Sequence, residues 1–80
     1  MKGINNIRVA VKQHNEENKD NKFRHVWSVN LWEKNGMRRA YINRTNGRNN
    51  KTVGWVDLNT LKLHDFSDWE LEEKVKNELT

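Results

Sequence analysis

Residues 27–44 read WSVNLWEKNGMRRAYINR, and the Asn35-Gly36 pair in the middle decides how the whole chain is read. A two-residue type I′ hairpin turn needs positive φ at both central positions, which Asn-Gly supplies at low cost. A turn there fixes the pairing by counting outward. Trp32 falls opposite Arg39, Leu31 opposite Ala40, Asn30 opposite Tyr41, Val29 opposite Ile42 and Trp27 opposite Arg44. Side chains alternate across a sheet, so these residues sort onto two faces. Trp27, Val29, Leu31, Ala40 and Ile42 are expected to form the core face. Asn30, Trp32, Arg39 and Tyr41 make the other face, an aromatic and basic surface on which a ligand could sit.

After the hairpin, Thr45 to Lys51 (TNGRNNK) predicts a mobile polar loop in which Arg48 and Lys51 are candidates to clamp a backbone, although such loops are more often plain connections. A strand over 52–58, a turn at Asn59-Thr60 and a short strand over 61–64 complete a second hairpin. Its register sets Leu58 against Leu61, Asp57 against Lys62 and Val56 against Leu63, with Trp55 on the side of the Asp57–Lys62 pair.

The C-terminal segment predicts a helix over 67–79. Ser67 and Glu70 fit a capping box, and Phe66 and Leu71 fit a hydrophobic staple. Asp68, Glu70, Glu72 and Glu73 suit the positive end of the helix dipole. Leu71, Val75 and Leu79 form one apolar stripe.

The two arms of the first hairpin are expected as strands over about 23–33 and 37–44. Gln13 to Lys22 (QHNEENKDNK) contains no apolar residue and predicts a flexible loop. Ile7, Val9 and Val11 alternate with polar or small residues and predict a further strand. The fold class that follows is α+β, one domain over 1–80: a small antiparallel meander of four to five strands with one C-terminal helix packed on it. A small closed barrel of the SH3 or OB kind with a C-terminal helix is the alternative.

Of the eighty residues 34% are hydrophobic and 32% charged, so the core must be thin, and four Trp supply much of its bulk. Cysteine is absent, which excludes disulfides and thiolate metal sites and fits a cytoplasmic location. The segment MKGINN has no apolar core of a signal peptide, and no apolar run could span a membrane. Charge is uneven. Residues 1–64 hold 13 Lys/Arg against 5 Asp/Glu, whereas residues 65–80 hold 2 against 6. Within 22–51 there are 8 basic residues and the single acid Glu33, an excess that attracts polyanions.

No catalytic pattern appears. His14, His25 and His64 lack zinc spacing, His64-Asp65 has no nucleophile beside it, and Gly47 and Gly54 form no phosphate loop. The expectation is a non-enzymatic binding module without cofactor or metal. Trp32 and Tyr41 would stack on bases, and Arg38, Arg39, Arg44, Arg48 and Lys51 would neutralise phosphates. The plainer reading has Trp32 packing on Arg39 as a cross-strand cation–π pair. The same cluster has the composition of a protein-binding hot spot, so the partner is nucleic acid or a host protein, and the chain is a monomer or a homodimer.

Three strands followed by a helix, with Trp and Arg on adjacent strands, resemble the arm-site DNA-binding domains of some phage-type integrases. That resemblance implies major-groove reading by the sheet. The segment GWVDLNTLKL over 54–63 is similar to a hairpin in several uncharacterised bacterial proteins, some of them nuclease-associated. A short chain rich in Asn and Lys, without Cys or Pro, resembles the small proteins of phages and mobile elements. It implies the alternative function, binding and inhibiting a host protein such as a defence protein.

Overall fold

A computed structural model describes residues 2–80. The chain runs α1 (Ile4–Glu17), β1 (Val26–Lys34), β2 (Met37–Thr45), β3 (Asn50–Asp57), β4 (Lys62–His64) and α2 (Trp69–Leu79). The strands form one antiparallel sheet in the order β1-β2-β3-β4. The sheet is open, with β1 and β4 at opposite edges, and so is not the barrel alternative.

The first hairpin has the counted register over all nine pairs, from Lys34↔Met37 to Val26↔Thr45. Asn35 (φ 51°) and Gly36 (φ 81°) take the positive angles that the turn demands. In the second hairpin Asp57↔Lys62 and Val56↔Leu63 pair as counted, and Trp55↔His64 extends the ladder. Leu58 and Leu61 are not a pair; they belong to a four-residue turn, with the positive φ on Leu61 (63°). Asp57 shapes this turn by accepting from the Asn59 and Thr60 amides. Asn59 then joins the two turns, accepting from the Arg38 amide at 3.0 Å and donating to the Gly36 carbonyl at 3.2 Å.

The N-terminal segment corrects two expectations. Residues 7–12 are not a strand, and 13–17 are not a loop; both belong to helix α1. Its buried residues are Ile7, Ala10, Val11 and His14, which is i, i+3, i+4, i+7 spacing, while Val9 faces outward. Nor is the remainder of the polar stretch without fixed contacts. Asn18 caps α1 by donating from its side chain to the His14 carbonyl at 2.8 Å, and Asn21 bonds both the amide and the carbonyl of His25.

Helix α2 is capped by Asp68 rather than Ser67. The Asp68 Oδ1 accepts from the Glu70 amide at 3.0 Å and the Leu71 amide at 3.3 Å. Ile7, Ala10 and Val11 of α1 and Leu71, Val75 and Leu79 of α2 form a single core with Trp27, Ala40, Ile42, Val53 and Val56 of the sheet. Leu31, expected in this core, is 44% exposed because β1 is an edge strand. Register shifts between Ile42 and Asn43, where a bulge turns Val53 inward. Next to it, Gly54 lets the Phe66 ring lie directly on the backbone. No helix among the described residues is long and apolar enough to cross a membrane.

Candidate functional site

Both helices take the core face of the sheet, and the opposite face stays uncovered. Every strand contributes to a stack of planar side chains on that face: Trp32 from β1, Arg39 from β2, Trp55 from β3 and His64 from β4. They stack in this order across the strands. The Arg39 guanidinium carbon lies 5.2 Å from the Trp32 ring centre and 4.2 Å from that of Trp55. On the far side of Trp55, His64 stacks at 4.1 Å with 13° between the planes. Tyr41 tilts against Trp55 at 5.9 Å, and its hydroxyl accepts from Arg39 Nη1 at 2.9 Å. The Trp55 indole N–H donates to Asp65 at 3.0 Å.

This geometry divides the work among the rings. Both faces of Trp55 are occupied, by Arg39 and by His64, so Trp55 is a strut. One face of Trp32 meets Arg39 and the other meets no aromatic or cationic group among the described residues. A planar ligand would therefore find the outer face of Trp32 and the exposed part of Tyr41. The guanidinium is held by two rings and a hydroxyl, so much of its rotational freedom is lost before anything binds.

Of the residues expected from sequence, Trp32, Arg39 and Tyr41 come together. Arg38 lies on the opposite face, where it pairs with Glu33 at 3.5 Å. Arg44 is directly across from Trp27 and pairs with Lys51, which places both on the helix side. Arg48 sits in the exposed 46–49 turn, where Asn46 accepts from its amide. The cations of the open face are Lys34, Arg39 and Lys62, with Asp57 among them. His64 and Asp65 were missed as site residues. Extending the second hairpin's count by one pair, to Trp55 and His64, would have found His64.

A second polar cluster is closed inside the fold. His14 is 1% exposed, with Nε2 3.2 Å from Asp68 and Nδ1 3.0 Å from the Lys74 ammonium. The partners assign the proton to Nε2, which donates to Asp68 while Nδ1 accepts from Lys74. Lys74 also pairs with Glu17 at 2.7 Å and holds that carboxyl below the usual range. Burial lowers the His14 pKa, helped by Lys74 and opposed by Asp68. The Trp27 ring meets His14 edge-on at 4.4 Å, with its own indole N–H buried and unpartnered among the described residues. A histidine this enclosed joins α1 to α2 and β1 and presents no surface to a substrate. Comparison with family models, with curated proteins and with solved structures finds no match.

Proposed function

We propose that the protein is a non-enzymatic nucleic-acid-binding module whose site is the uncovered face of the sheet. The observation that carries this reading is the stack Trp32–Arg39–Trp55–His64, one residue per strand, with a free ring face at Trp32. A base stacks on Trp32 or Tyr41, while Arg39 and the flanking Lys34 and Lys62 meet phosphate oxygens. Stacking contributes about 1–3 kcal/mol per base and tolerates any sequence. Single strands suit the site better than duplex, because a stacking platform needs unpaired bases and the remaining arginines face elsewhere.

Three cations on the face predict a shallow salt dependence. The slope of log K against log salt is expected to be about −2 for single strands, at roughly 0.7 per phosphate neutralised. Fluorescence anisotropy of labelled oligonucleotides at several salt concentrations reads that slope. Combined Trp32→Ala and Arg39→Ala replacement should weaken binding about 10–100-fold, the equivalent of losing one stacked base and one charged contact. The fold should survive, since neither side chain belongs to the core. Unchanged affinity in the double variant would exclude this face, and absence of binding at low salt would exclude nucleic acid and favour a host protein as partner.

A further inference from the structure

The free edge of β1 is protected over only part of its length. Asn15 on α1 brackets Trp27, donating to its carbonyl and accepting from its amide, each at 2.8 Å. Asn21 does the same for His25. Backbone groups in an antiparallel strand alternate between the neighbouring strand and the outer edge. Trp27 faces the edge, and so do Val29, Leu31 and Glu33. Among the described residues no side chain bonds the amides and carbonyls of Val29, Leu31 and Glu33, and no backbone group outside the sheet does so. The open stretch is therefore 28–34, closed at one end by Asn15 and at the other by the Asn35-Gly36 turn. The opposite edge differs, because β4 has only three residues. Of the exposed apolar side chains, Phe23, Val26 and Leu31 precede or lie on β1 and Met37 follows its turn, while Val9 and Trp69 lie on the helices.

We infer that this edge pairs with the same edge of a second copy, forming a two-fold dimer with one continuous eight-stranded sheet. The bounds set the register. An antiparallel pairing that uses all of 28–34 centres on Leu31, which meets the partner's Leu31, and sets Val29 opposite the partner's Glu33. On the open face Trp32 lies opposite the partner's Asn30, and Lys34 opposite the partner's Ser28. No like charges oppose each other, and each Glu33 keeps its own Arg38. Three edge-facing residues per copy give about six inter-strand hydrogen bonds, two for each hydrogen-bonded pair. The half-exposed Leu31 becomes the centre of the contact. The partner is a second copy because the open stretch pairs with itself over its whole length and sets no like charges opposite each other. This inference rests on the free edge and not on the ligand of the open face; in the pair the partner's Asn30 stands beside the outer face of Trp32, while Tyr41 stays uncovered.

The test uses the full chain, which has no cysteine of its own. Hydrogen-bonded antiparallel partners have Cα atoms about 5.5 Å apart, within reach of a disulfide. Under mild oxidation the Leu31→Cys variant should form a covalent dimer at least 10-fold faster than the Val26→Cys variant, whose residue is exposed on the same strand but outside the ladder. Sedimentation of the unmodified protein at about 100 μM, a concentration suited to a small interface, should show a dimer. The Leu31→Lys variant should sediment as a monomer with an unchanged circular dichroism spectrum. A monomer at that concentration overturns the inference. So does a dimer that Leu31→Lys leaves intact, or one that cross-links equally well through position 26.

Discussion

Replacing Asp68 by alanine is expected to cost about 2–4 kcal/mol, the sum of a lost N-cap and a lost charge-assisted bond to a buried partner. One carboxylate does both jobs. Its Oδ1 accepts from the Glu70 and Leu71 amides, and its Oδ2 meets His14 Nε2. The loss is large for a domain of this length, whose total stability should be about 4–12 kcal/mol. Urea denaturation measures it. Asp68→Asn, which keeps a cap acceptor, should recover part of the loss, and equal losses in both variants would show that the charge is irrelevant.

The same cluster gives the fold a dependence on pH. Folding lowers the His14 pKa below its ordinary value of 6.5, first by burial and then by the Lys74 ammonium, with Asp68 and Glu70 on α2 pulling the other way. Below that value the unfolded chain binds more protons than the folded one, so stability rises with pH there. The contribution is complete above pH 6.5 and is lost as pH falls through the folded pKa. Wild-type protein should therefore lose stability as the pH falls below 6.5, and a His14→Gln variant should lose clearly less over the same fall. Parallel pH curves for the two proteins would remove His14 as the cause. At lower pH the Glu17 carboxyl, also held low by Lys74, adds a loss of the same sign.

Gly54→Ala is expected to destabilise by about 1–3 kcal/mol, the usual cost of overpacking a filled interior, and Gly54→Val by more. An ideal Cβ at this position would lie 2.7 Å from the Phe66 ring, closer than real contacts allow. The ring cannot retreat freely, because the next residue, Ser67, donates its amide to the Val53 carbonyl at 3.0 Å and ties the segment to β3. Thermal melting of Gly54→Ala in wild-type and Phe66→Leu backgrounds tests the cause. If the ring is responsible, the two changes together should cost less than the sum of each alone.

The hairpins were legible because turn chemistry and side-chain alternation are local. Asn35-Gly36 fixes nine pairs, and Asp57 and Lys62 pair even though the turn between them is of another type than the one expected. Helix α1 was hidden by its composition. Ile7, Val9 and Val11 are β-branched and alternate, which is a strand's signature. The helical stripe shows only when Ala10 and His14 are counted as interior, and a buried histidine is justified only by Asp68 and Lys74, far away in sequence. The cap falls one residue later than expected, at Asp68, whose carboxylate also meets His14. At the open face, register placed Trp32, Arg39 and Tyr41 together, whereas counting charge along the chain grouped Arg38, Arg44 and Lys51 with them although they face the other way.

The contact between His14 and Lys74 joins residues 60 positions apart, on either side of the whole sheet in sequence. During synthesis at about 5–20 residues per second, the stretch from the end of β4 to the end of α2 takes about 1–3 seconds to make. The meander can pair early from its own turns, but for those seconds the apolar stripe of α1 and the core face of the sheet lack their second helix. A nascent chain in that interval is a ready client for a chaperone that holds apolar surface, and closure of the core has to wait for translation to reach α2.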